Sequence, residues 1–284
     1  MILGVGNATL DLISEVEGFP TEDSEVRAVA RHLVRGGNCA NTLAVLRRLG
    51  QPCAWAGCLA GDRDSRAILA DLEHRGIDCS PALRLPGGMT PLSCITRNRH
   101  NGSRTIVHYR DLPEYPASAF ADLDLSAYRW LHFEGRNVEP LEQMLRDASQ
   151  RAAGTPRSLE VEKARPGIET LLPLADVVLF SRDYAHTRGA DSPQALLAQI
   201  EQRPGQICFV TWGAQGAVVR DVDGKVIERE AVAPAAVVDT LGAGDTFNAA
   251  VIDALLRGSN AGEALTAAVT LAGRKCTLHG FDEL

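Results

Sequence analysis

A central, mostly parallel β-sheet covered by helices on both faces, with a small β-sheet standing apart from it, is predicted by three patterns in the sequence. Short apolar runs suited to buried strands alternate with segments of helical periodicity, as in α/β proteins. Two stretches break that rhythm with paired short strands. Near the C-terminus a Gly-rich, acid-bearing loop runs straight into the most regular helix of the chain.

In chain order, Ile2 to Gly6 is the first buried strand. Asp11 to Val16 and Glu25 to Ala30 read as short strands around the Gly18-Phe19-Pro20 turn. After Asn38, Leu43, Leu46 and Leu49 stand three apart and the pattern stops at Gly50, as in a helix docked on a sheet. Ser93 to Arg97 and Thr105 to Tyr109 flank Asn101-Gly102, a hairpin signal. These four strands, from about 11–30 and 93–110, are expected to form a lid inserted in one domain spanning 1–284. Its second face, left apolar, would serve as a dimer surface. The alternative is that they simply extend the main sheet. Trp130 to Phe133, Val177 to Phe180 and Ile207 to Thr211 continue the buried strands. Phe247, Ala250, Val251, Ala254 and Leu255 follow the helical spacing up to Gly258, and Asn260 with Glu263 marks a capping box opening a last helix that covers the sheet edge.

Composition narrows the functional classes. The 284 residues are 45% hydrophobic and 23% charged, enough for a large core without metal or disulfide staples. A net charge of -7 with no Lys/Arg run gives no grip on a nucleic acid backbone. Seven Cys without C-x-x-C pairing read as buried thiols in a reducing compartment. No signal-peptide pattern or bilayer-length apolar run is found, so a cytoplasmic protein without membrane attachment is expected.

Asp239-Thr240-Leu241-Gly242-Ala243-Gly244-Asp245 puts small residues where a helix N-terminus offers unpaired N–H groups and a positive dipole end. Gly242, Ala243 and Gly244 therefore suit an anion hole. A carboxylate there repels an anion, which is tolerable if Asp245 takes a proton from the nucleophile attacking a phosphate. A tight turn and a helix-capping Asp are the structural alternatives. The loop is neither a Walker A nor a Rossmann fingerprint.

Arg35-Gly36-Gly37-Asn38-Cys39-Ala40-Asn41 puts two amides on one helical face, suited to adjacent sugar hydroxyls, unless Asn38 is simply the N-cap. Asp11, just past the first strand, is an acid where such sheets build sites. Arg104 is a candidate cation for ATP phosphates, unless it is simply a solvated hairpin arginine, and Gly213, Ala214, Gln215 and Gly216 form a turn able to pass beneath a nucleotide. The seven His show no ligand spacing, and no metal ligand is assigned.

The pair Gly36-Gly37-Asn38-x-Ala40-Asn41 and Asp239-Thr240-x-Gly242-Ala243-Gly244-Asp245 resembles the two signatures of the ribokinase-like (PfkB) sugar kinases. Within them the chain is most similar to the ketohexokinase group, through segments such as Glu22 to Arg27, Gly102 to Ile106, Glu134 to Asn137, Glu160 to Lys163 and Ala272 to Cys276. The resemblance implies a ribokinase-like fold and MgATP-dependent phosphorylation of fructose at its 1-hydroxyl. It also implies a lid clasped between two subunits. Sugar contacts would come from Asp11, Gly37, Asn38 and Asn41, and ATP contacts from Arg104, Gly213 to Gly216 and the Gly242 to Asp245 loop. It leaves open a monovalent cation such as K+. Many relatives carry Asn-x-x-Glu where this chain reads Ser181-Arg182-Asp183-Tyr184, so the magnesium environment is unassigned, with Glu160 and Glu162 as candidates acting through water. A kinase for another sugar, sugar acid or nucleoside, and a non-catalytic sugar sensor, are the rival functions.

Overall fold

The computed structural model describes residues 1–232 and 237–284. The chain opens with β1 (Ile2–Val5), β2 (Thr9–Val16), β3 (Ala30–Gly36), α1 (Asn38–Arg48), β4 (Cys53–Ala56), β5 (Cys58–Leu59) and α2 (Arg63–His74). There follow β6 (Leu83–Arg84), β7 (Leu92–Asn98), β8 (Arg104–Tyr109), α3 (Ala117–Ala121), β9 (Trp130–Glu134), α4 (Val138–Arg151) and β10 (Arg157–Val161). The rest comprises β11 (Val177–Phe180), α5 (Arg182–Thr187), α6 (Pro193–Gln199), β12 (Ile207–Thr211), β13 (Ala217–Arg220), β14 (Val226–Arg229), α7 (Ala243–Leu256) and α8 (Ala261–Lys275).

The main sheet runs β14-β13-β12-β11-β10-β9-β1-β4, parallel from β4 to β12 and antiparallel at its β13 and β14 edge. Strand alternation divides the core in two. On β12, Cys208 and Val210 face the layer holding Phe133, Met144 and Leu196, while Phe209 faces the layer of Leu43, Trp55 and Phe247. Helices therefore cover both faces, as the apolar runs predict.

A second sheet, in the order β3-β2-β7-β8, is separate from the first, so the four lid strands do not extend the main sheet. Its second strand occupies Ala30–Gly36 rather than Glu25 to Ala30. The reason is register: β3 pairs with β2 from Glu15 opposite Ala30 to Thr9 opposite Gly36, and residues before Val29 lie beyond the end of β2. β2 and β7 are parallel, and β7 and β8 form the expected hairpin, with Gly102 at φ 69°.

The start of α8 has both bonds of the capping box, Glu263 N–H to Asn260 Oδ1 and Asn260 N–H to Glu263 Oε2, each 3.0 Å. α8 packs on β13, β14 and α7. Cys39, Cys53, Cys58 and Cys208 are buried as expected, but Cys94 is exposed because it points to the open face of the small sheet. Among the described residues no helix is long and apolar enough to cross a membrane.

Candidate active site

The parallel strands end on one rim, where α/β sheets form clefts. That rim carries Asn7 after β1, Glu134 at the end of β9, Glu160 and Glu162 at the end of β10, Ser181 after β11 and Trp212 after β12. α7 points its N-terminus into the same region, because Asn41 of α1 donates to Asp245 Oδ2 at 2.7 Å.

Gly242 is the N-cap of α7 in a left-handed conformation, φ 79°, and a Cβ there would strike the Phe281 ring. Its Gly is thus required by backbone and packing, whereas a Cβ on Gly244 would enter open space. Ala243 spends its N–H on Thr240 O at 3.2 Å, so it is a weaker donor to an anion than its neighbours. Asp239, at the head of the loop, is tied down by Lys275, whose fully buried Nζ donates to Asp239 O and Oδ2, both 3.1 Å, and to Leu278 O at 3.3 Å.

Asp245 is buried, and burial pushes its carboxyl up to about 8. The Asn41 hydrogen bond pulls it down, Glu162 and Glu134 push it further up, and Arg35 pulls it down. Glu160 is also driven well up, by burial and then by Asp245 and Glu134. Glu160 Oε1 accepts from Asn38 at 3.2 Å and Asn248 at 3.1 Å, while its buried Oε2 has no partner.

Asp11 lies on β2 with its carboxylate where a Cβ of Gly36 would be, so that glycine is a matter of close approach. It accepts from Thr9 Oγ1 at 3.2 Å and bonds Ser93, and burial raises its carboxyl. Gly37, not Asn38, is the N-cap of α1, which removes capping as the reason for Asn38. Asn41 is engaged at both ends, its Oδ1 accepting from Arg35 at 2.8 Å. Asp11, Gly37, Asn38, Asn41 and Asp245 therefore lie in one connected region, and the two amides are anchored to carboxylates rather than standing free.

Arg104 is exposed at the start of β8, on a cavity of about 650 Å³ between the lid hairpin and 237–241, where Arg97 reaches Asp239 at 3.6 Å. Ala214 and Gln215 line a different cavity of about 510 Å³ beside Trp212. The two predicted ATP elements line separate cavities. Arg182 lies next to Gly213, a cation that the sequence did not single out. Ser181 caps α5, accepting from Tyr184 N–H at 3.0 Å, and Tyr184 is buried against Phe180, so this segment replaces Asn-x-x-Glu with a packing device. Glu134 accepts from Asn7 N–H at 2.8 Å and faces Arg136 at 3.3 Å; in the sequence it stands out only within the Glu134 to Asn137 segment of the family resemblance, with no role attached.

Among the described residues no group of three His, Cys, Asp or Glu is placed to hold a metal ion. Mg2+ needs no such cage, since it keeps waters and binds through one or two carboxylates plus phosphates. The unpartnered Glu160 Oε2 amid mutually repelling carboxylates suits such an ion.

A buried acid at a helix N-terminus on the rim of a parallel sheet is an arrangement able to take a proton beside a bound anion. The chain belongs to the pfkB family of carbohydrate kinases, whose pattern matches residues 1–283, and is an ATP-dependent sugar kinase. It is 38% identical to mouse ketohexokinase over 99% of this chain and 97% of that protein. It is 28% identical to rice (Oryza sativa subsp. japonica) fructokinase-1, over 90% of this chain and 82% of the other. Arabidopsis thaliana ribokinase, solved with ribose and ATP, shares the fold with a TM-score of 0.78 at 20% identity, covering 98% and 93% of the two chains.

Proposed function

We propose that this kinase phosphorylates D-fructose to fructose 1-phosphate, with Asp245 as the general base. The observation that carries the chemistry is the buried Asp245 carboxylate, held by Asn41 at the N-terminus of α7; the likeness to mouse ketohexokinase carries the substrate. Asp11, Gly37, Asn38 and Asn41 would fix the sugar. The hydroxyl oxygen attacks the γ-phosphorus as its proton passes to Asp245, and the bond to the β,γ-bridging oxygen breaks to release ADP. N–H groups at Gly242, Gly244 and Asp245 receive the charge of the transferring phosphoryl group, with Ala243 a lesser contributor. Arg104 and the Gly213-Ala214-Gln215-Gly216 turn would hold ATP, which requires their two cavities to approach as the small sheet closes like a lid. Glu160 and Glu162 would hold Mg2+ through water, and the ion would supply neutralisation of the phosphate charge. A monovalent cation such as K+ remains a candidate activator.

The outer face of the small sheet supports a homodimer. Leu33, Leu12, Cys94 and Val107 are register neighbours across its four strands, and Leu33 and Val107 are 56% and 69% exposed. A second copy would cover this apolar row. The cytoplasm remains the expected compartment.

The test is ADP release with MgATP across D-fructose, other ketoses, ribose, sugar acids and adenosine, with product position read by NMR. Fructose 1-phosphate as the preferred product supports the proposal. Preference for another alcohol keeps the kinase and discards fructose.

A further inference from the structure

A chain of charged and amide groups runs from the surface of α2 to Asp245. Asp71 Oδ2 accepts from Arg35 Nε at 2.6 Å, Arg35 Nη1 donates to Asn41 Oδ1 at 2.8 Å, and Asn41 Nδ2 donates to Asp245 Oδ2 at 2.7 Å. The Arg35 side chain is only 3% exposed. Asp71 is itself held from the far side by Arg75, which reaches Asp282 at 2.6 Å.

We propose that Arg35 is a positioning residue for the base, acting through Asn41. An arginine has donors only, so its contact forces the Asn41 carbonyl toward itself and the NH2 toward Asp245. The opposite flip would set a carbonyl against a carboxylate and leave the guanidinium facing an amide NH2. Asp71 fixes Arg35 by taking a second N–H of the same planar fork, which a lysine cannot reproduce. The result is that Oδ2 of Asp245 is occupied from one defined direction, and the substrate proton goes to Oδ1. This rests on Asp245 being the base. Arg35 also acts on charge: its field lowers both Asp245 and Asp11, opposing the carboxylates Glu134, Glu160 and Glu162, while Asp71 and Arg75 bear on Arg35 itself.

The experiment is a double-mutant cycle on turnover, with Arg35→Met, Asn41→Ala and both together at saturating MgATP, and Asp245→Asn alongside. Arg35→Met is expected to lower kcat by about 10- to 100-fold with the sugar KM within about threefold. Because both act on one atom, the double variant should lose no more than Asn41→Ala alone. Losses that multiply, or a raised KM with kcat unchanged, would overturn the relay. If Arg35→Met has no cooperative melt, Arg35→Lys takes its place: charge is kept but one ammonium cannot hold Asp71 and Asn41 together, so kcat should fall by roughly tenfold. A wild-type kcat in Arg35→Lys would equally overturn it. Asp245→Asn turning over at near wild-type rate removes the base and this inference with it, whereas a dead Asp245→Asn beside a multiplicative cycle sinks the relay alone.

Discussion

Asp245 is costly where it stands. Its carboxyl is raised to about 8 in the folded chain, against about 3.8 when unfolded. The sign follows: the buried group is neutral and harmless at low pH, and stability is lost as pH rises through the folded value, where the chain must hold a buried anion beside Glu134 and Glu162. Asp245→Asn removes that burden. We expect its melting temperature to exceed the wild type by an amount that grows from pH 5 to pH 9, to the equivalent of on the order of 1–3 kcal/mol. Equal melting curves at pH 9 would show that Asp245 carries no such strain. At this scale the sequence displayed the chemistry but not its wiring. Asp245, Asn38 and Asn41 stand out by motif, yet Asn41 reads as a free amide until Arg35 and Asp71, 36 residues apart, are seen to meet. Lys275 is just as hidden, since nothing local marks a lysine as buried.

The loop from Asp239 to Gly242 shows how elements outside the motif shape it. Lys275, at the end of α8, donates to two oxygens of Asp239 and to Leu278 O, and lies 5.7 Å from the Phe281 ring that presses on Gly242. Lys275→Met leaves Asp239 without its buried partner. A loss of about 3 kcal/mol is expected, seen as a drop of roughly 6–12 °C in a thermal melt; a change under about 2 °C would mean that the loop is held by other contacts. α7 itself was legible as a helix, but its five spaced residues describe an amphipathic face, whereas Ala249 and Ile252 are buried too. The cause is that α1 and α8 pack on it from different sides, which periodicity within one segment cannot reveal. The misplaced start of β3 has a similar origin, because a partner strand, not local propensity, decides where pairing begins.

Across the whole molecule, the alternation of buried strands and helices made the main sheet readable, and the two hairpin-like interruptions made the separate sheet readable. Relative placement of distant loops was not: nothing in the sequence says that Arg104 lines one cavity and Ala214 and Gln215 another. The small sheet turns Asp11, Ile13 and Glu15 to one face and Leu12 to the other, so each face has its own task. If the apolar row is covered by a second copy, Val107→Glu should convert a dimer to a monomer in sedimentation at micromolar concentration, since it buries a charge at the seam. A wild-type monomer at that concentration would dismiss the interface.

The central claim is that transfer of the phosphoryl group depends on Asp245 taking the hydroxyl proton. It is tested most directly by Asp245→Asn, with fructose binding followed by calorimetry and turnover by ADP release. Sugar affinity within a few-fold of wild type and kcat lower by roughly two to four powers of ten is the predicted result. Turnover near the wild-type rate, with sugar bound normally, would contradict it.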